Sequence, residues 1–139
     1  MEFPDKDKVI SVKDLYKTAD WKAEKHVPVI DAPAKASADA PVDVTVTVGK
    51  EIAHPNTSEH FIAWIELYFH ADGEPNPHLL GRYTFDAHGA SGEGPNTSTI
   101  YAQPKVTVAL KTGKAGTLHA ASYCNIHGLW ASEAKLAIE

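Results

Sequence analysis

Four histidines and the only cysteine in this sequence fall in three short segments. They are Glu24-Lys25-His26-Val27-Pro28, His54-Pro55-Asn56-Thr57-Ser58-Glu59-His60 and Cys124-Asn125-Ile126-His127-Gly128. Imidazole suits zinc, copper, iron and nickel, whereas a thiolate favours softer or more electron-rich centres. Five such donors exceed the four of a closed tetrahedral zinc site. Four nitrogens in a plane with one axial sulfur leave a sixth position open, a seat for a small oxygen species on a redox metal. A thiolate opposite that seat pushes electron density through the metal. Cys124 and His127, three residues apart, turn His54 and His60 from ordinary histidines into candidate ligands. By residue type alone Glu24 and Lys25 read as a solvated pair. His70, His78, His88 and His119 have no partner at useful spacing and read as structural or solvated.

The elements that must position these residues are mostly strands. Val42, Val44, Val46 and Val48 alternate with polar residues, the mark of a half-buried strand. Residues 61–69 are apolar, aromatic and β-branched on both faces, as a central strand requires. Further strands are expected at 27–29, 79–86, 105–111, 117–124 and 133–138, separated by Gly, Pro and Asn turns. Such spacing predicts an all-β fold, a seven-stranded immunoglobulin-like β-sandwich. A short helix is expected over 11–20, where Ser11 and Asp14 fit a capping box. The prediction is one domain spanning residues 1–139, with 1–22 as an N-terminal arm. The tetrapeptide Pro-Asn-Thr-Ser occurs at 55–58 and again at 95–98, and both copies read as Asn-centred turns. Trp21, Trp64 and Trp130 read as packing residues.

Composition narrows the choices. With 139 residues, the chain can hold a hydrophobic core without disulfides, and its single cysteine excludes an internal one. A net charge of −5 and the lack of any basic block argue against nucleic acid and anionic membranes as partners. The sequence has no apolar run long enough to span a bilayer. Its N-terminal residues mix charges where a signal peptide would be apolar, so the chain reads as cytoplasmic.

The three segments, in this order, resemble those of the superoxide reductases, the family of neelaredoxin and the desulfoferrodoxin catalytic domain. The likeness runs from about Trp21 onward, through residues 60–69, 81–91, 94–98 and 122–130. It implies one mononuclear non-haem iron per chain, with His26, His54, His60 and His127 as equatorial ligands and Cys124 as the axial thiolate. Glu24 is implied as the sixth ligand of the oxidised site and Lys25 as the cation beside the open position. The implied activity is one-electron reduction of superoxide to hydrogen peroxide, with no dioxygen made. A rubredoxin-like electron donor and a homotetramer are implied as well. The second iron domain of larger relatives is not expected, because its four cysteines are absent. In a regular strand Glu24 and His26 would share one face and Lys25 the other. For all three to serve one site, the segment must be an irregular loop.

Two other readings use the same residues. A cupredoxin-like copper electron-transfer protein also combines one cysteine with histidines at strand ends. It commonly adds an axial methionine, and the only one here is Met1. A metal-free immunoglobulin-like binding module would leave the histidines and the cysteine without a purpose.

Overall fold

Alternating burial along the valine-rich segment shows how this chain builds its core. The structure, a computed structural model, describes residues 5–139. Its strands are β1 (Pro28–Asp31), β2 (Lys35–Ala36), β3 (Val42–Val48), β4 (Ile62–Ala71), β5 (His78–Thr84), β6 (Lys105–Leu110), β7 (Gly116–Cys124) and β8 (Gly128–Ile138). In β3 the side chains of Val44, Val46 and Val48 are buried, with Asp43 on the solvent side. β1, β3 and β6 form one antiparallel sheet, in the order β1-β3-β6. The second sheet runs β2-β8-β7-β4-β5 and is antiparallel except where β2 lies parallel to β8.

The two sheets face each other as a sandwich of immunoglobulin-like type. Val44, Val46 and Leu110 from one sheet meet Ile65, Leu67, Phe69, Leu118 and Leu136 from the other. Full burial of each large aliphatic side chain contributes about 1.5–3 kcal/mol. The count of eight strands exceeds the expected seven by β2, whose two residues are too few to show a period.

Two features of the five-stranded sheet aim residues at one end of the sandwich. Along β7 the inward row runs Leu118, Ala120, Ser122, Cys124, so the cysteine sulfur ends up on the core side. A register shift between Ile62 and Trp64 marks a bulge in β4 opposite that end. Ile62 and Ile65 can therefore both point inward although they are three residues apart.

The arm differs from expectation. Its helix is a single 3-10 turn, Val12–Asp14, with no buried residue, and the Ser11 side chain makes no capping bond. Val12 and Leu15 remain exposed, so nothing anchors a longer helix, and short helices are marginal in water. The chain instead runs extended and pairs with a free stretch of the β8 edge. Lys17 N donates to Leu129 O at 3.0 Å and Ala131 N to Lys17 O at 2.9 Å.

Candidate metal centre

Residues 25–27 form a succession of bends, not a strand, as the shared placement of Glu24, Lys25 and His26 requires. β1 starts at Pro28, and Ser122 of β7 donates its hydroxyl to His26 O at 3.4 Å. Residues 54–60 connect β3 to β4 as an irregular loop. Thr57 and His60 close a tight turn in it, with Thr57 N donating to His60 O at 3.0 Å. Residues 125–127 are the hairpin turn between β7 and β8, where Cys124 pairs with Gly128. Gly128 has φ +82, a left-handed conformation that glycine adopts without steric cost. Asn125 joins the last two segments, accepting Phe61 N at 2.9 Å and donating to Glu59 O at 2.8 Å.

These loops bring four imidazoles into a closed circuit. Ring centroids lie 4.8 Å apart for His26–His54, 4.8 Å for His54–His60, 5.1 Å for His60–His127 and 4.7 Å for His127–His26. Cys124 lies beside the circuit, fully buried, with its sulfur 3.7 Å from His127 Nδ1. Donor atoms of His26, His60, Cys124 and His127 all fall within 4.8 Å of one another. His54 lies outside that tightest group, but its ring stands edge-on to both His26 and His60.

The nitrogens show which atoms face the centre. His26 Nε2 and His127 Nδ1 are 3.1 Å apart. His54 Nδ1 donates to Pro55 O at 2.6 Å, which fixes its tautomer and leaves Nε2 as the free lone pair. Nε2 of His54 and Nε2 of His60 are both buried without any hydrogen-bond partner. Two unsatisfied imidazole nitrogens in one site are costly unless a ligand takes them. The backbone N–H of His127 donates to Cys124 Sγ at 3.3 Å. Trp130 stacks on His26, with centroids 4.9 Å apart and planes 13° from parallel, and its indole N–H donates to His127 O.

Electrostatics favour neutral rings. Burial pushes His54 down to about 4, outweighing the bond to Pro55, with the charges of His26, His60 and Lys25 adding to the effect. Burial also lowers His26, against the opposing pull of Glu24, and lowers His60 along with its positive neighbours. Neutral imidazole is the form that ligates metal.

Glu24 sits at the edge of the centre, not among the tightest donors. Its Oε1 accepts from His26 N at 2.9 Å and lies 2.5 Å from His26 Nδ1. Burial pushes the Glu24 carboxyl up, but its bonds to His26 prevail and hold it below the usual range. Lys25 is half-buried, close enough for its charge to act on His26, His54 and His60. Among the described residues it forms no ion pair. A groove of about 800 Å³ between the arm and the outer face of the five-stranded sheet contains none of the candidate ligands.

Sequence reasoning did not single out Asn125 or Ser122, and it read Trp130 as general packing. Only the asparagine carries a signal, since it separates Cys124 from His127 by position. Met1, the only methionine and so placed before every candidate histidine in sequence, lies outside the described residues. The ring circuit employs the two extra histidines that the copper alternative leaves over.

A β-sandwich that gathers four imidazoles and one thiol at one end has the donor set of a mononuclear transition-metal protein. The chain belongs to the desulfoferrodoxin family, whose sequence profile matches residues 18–133. It is 51% identical to the superoxide reductase of Pyrococcus furiosus, over 90% of this chain and 98% of the relative. It is 48% identical to the neelaredoxin of Megalodesulfovibrio gigas, over 91% of this chain and 97% of the relative. Among solved structures, the reduced superoxide reductase (neelaredoxin) of Archaeoglobus fulgidus superposes with a TM-score of 0.83. That match is 56% identical and covers 88% of this chain and 98% of the other.

Proposed function

We propose that the protein is a superoxide reductase that carries one mononuclear non-haem iron. The observation that carries this reading is the closed circuit of four imidazoles beside the buried Cys124, with two lone pairs left unsatisfied. The spacing fits a small ion. Two nitrogens bound at about 2.1 Å and at right angles lie about 3 Å apart, much as His26 Nε2 and His127 Nδ1 do.

His26, His54, His60 and His127 would hold the iron through ring nitrogens and Cys124 through sulfur. Glu24 would be the removable sixth donor of the oxidised protein. When bound, the iron supplies the single electron for superoxide and recovers it from an external donor. The overall reaction takes one superoxide, one electron and two protons to one hydrogen peroxide.

The remaining work falls to the chain. Donation from His127 N to Sγ stabilises negative charge on the sulfur. The Lys25 ammonium provides a local positive field in a protein of net charge −5, and such fields raise association rates by roughly 10–1000-fold. Lys25 also orders water for proton delivery. Glu24, held on His26, gives a carboxylate that can leave the anion's path without leaving the site. A rubredoxin-like donor, a homotetramer and a cytoplasmic setting complete the proposal. No helix among the described residues is long and apolar enough to cross a membrane.

Counting products tests the reading. Anaerobically purified, iron-loaded protein should form one peroxide per superoxide and no dioxygen. Half that yield of peroxide, with dioxygen evolved, would mean dismutation and refute it.

A further inference from the structure

We propose that His88, a histidine outside the donor set, is the positioning residue that holds His54 and His60 in place for the metal. The proposal rests on the metal-centre reading above and adds a residue that the donor set does not contain.

His60 poses the problem. A ligating imidazole is normally oriented by a hydrogen bond to its second nitrogen. His26 has such a contact in Glu24 and His54 has one in Pro55 O. Among the described residues no partner meets either ring nitrogen of His60. Beyond its contacts with the His54 and His127 rings, its place depends on the backbone, and the loop 54–60 belongs to no strand. A loop keeps one shape only where its polar groups have fixed partners.

His88 supplies them from a separate part of the chain. It is buried, at 7% exposure, although it is a polar residue in a loop. Its Nδ1 lies 2.8 Å from Asn56 Oδ1, and its Nε2 is anchored on Phe85 O. Its carbonyl accepts the Ser58 hydroxyl at 2.8 Å. Its ring stacks on Phe61, with centroids 3.9 Å apart and planes 12° from parallel. One residue thus touches positions 56, 58 and 61, on both sides of the chain leading into His60.

The neighbours of His88 act in the same direction. Asn56 Nδ2 donates to Ala102 O at 2.9 Å, which sets the amide so that its oxygen faces His88. Asn96, from the second Pro-Asn-Thr-Ser copy, accepts Ser58 N on its side chain and donates its own N–H to Ser58 Oγ, both at 2.9 Å. Asn96 has φ 57, a left-handed conformation that asparagine tolerates better than most residues. The repeated tetrapeptides therefore lie against each other. One copy sits between two candidate ligands, and the other braces it.

Three variants and one metal test this. His88→Phe keeps an aromatic ring for the Phe61 stack and removes the two ring nitrogens that face Asn56 and Phe85 O. Asn56→Ala removes the partner, and Val44→Ala weakens the core of the other sheet as a stability control. Fe2+ affinity is measured anaerobically by chelator competition, with the thiolate absorption band of the oxidised protein as a second readout. His88→Phe should weaken affinity about 10–100-fold and shift the band. Asn56→Ala should do the same, and the double variant should lose no more than either single one. Val44→Ala should lower the melting temperature and leave affinity and band unchanged.

Wild-type affinity and spectrum in His88→Phe and Asn56→Ala would overturn the proposal, and so would changes no larger than those of Val44→Ala. If His88→Phe fails to fold, Asn56→Ala decides. A wild-type protein that takes up no Fe2+ would refute the iron reading instead. The positioning claim is then read from the His54 and His60 ring signals of the metal-free protein by NMR. His88→Phe should move or broaden those signals, and unchanged signals overturn the claim.

Discussion

His26 Nε2 and His127 Nδ1 face each other at 3.1 Å although 101 residues separate them in sequence. Neither nitrogen has a carbonyl or carboxylate to meet, so the contact makes sense as two donors turned toward a shared ion. Replacing His127 by Ala should reduce Fe2+ affinity by more than the about 10–100-fold that the loss of an outer partner costs. Chelator competition checks this, and an affinity within threefold of wild type would remove His127 from the coordination sphere.

In the proposed reaction Lys25 contributes charge, not coordination, and that charge acts on three of the four rings. Lys25→Ala should slow superoxide capture by about tenfold, at the low end of what local fields supply. The rate should also become less sensitive to salt, because screening acts on the charge that was removed. Pulse radiolysis over a range of ionic strength reads both effects, and an unchanged salt profile counts against steering.

The metal-free protein should lose stability on mild acidification. Burial holds His54 at about 4 when folded, against an ordinary value of 6.5, and His26 and His60 are lowered as well. The unfolded chain therefore binds protons that the folded chain refuses. Stability is complete above about 6.5 and is lost progressively as the pH falls toward about 4. Melting temperatures of the metal-free protein at pH 7.5 and pH 5 test the sign. Equal values would mean that the rings are not shielded as described.

Cys124→Ser exchanges one small buried group for another, and the new hydroxyl can still meet His127 N. The fold should survive at a cost of about 1–3 kcal/mol for burying a hydroxyl. Iron should still bind through the histidines, while the thiolate absorption band and the reductase activity disappear. Retained activity would show that sulfur is dispensable to the chemistry.

Sequence periodicity revealed those parts of the fold where burial alternates along one strand. β3 is such a case, with Val44, Val46 and Val48 buried as their alternation with polar residues predicts, whereas β7 was expected as a strand without its inward row being read. Lys35–Ala36 escaped because its pairing with Ala137–Ile138 depends on distant backbone and not on local pattern. The capping signal at Ser11 misled for a similar reason. The free β8 edge at Leu129 and Ala131 takes Lys17, and a sequence window cannot see that edge.

The candidate ligands were legible because they come in close pairs, Cys124 with His127 and His54 with His60. Their closure into a ring with His26 came only from the family resemblance, since no spacing rule links His26 to His127 across the chain. His88 looked like an ordinary structural histidine. What it holds lies about thirty positions earlier, and no spacing rule links it to Asn56.

The donor loops come from both halves of the sandwich. His26 leads into β1 of the three-stranded sheet, and Cys124 and His127 cap the β7–β8 hairpin of the other. His54 and His60 lie on the connection that passes from β3 to β4. An ion held by all of them is a cross-brace between the sheets, so prising the layers apart at that end requires giving up the ion. Apparent stability then rises with the logarithm of free metal over its dissociation constant. In an iron-starved cell, the fraction of this protein that survives quality control would itself report the supply of iron.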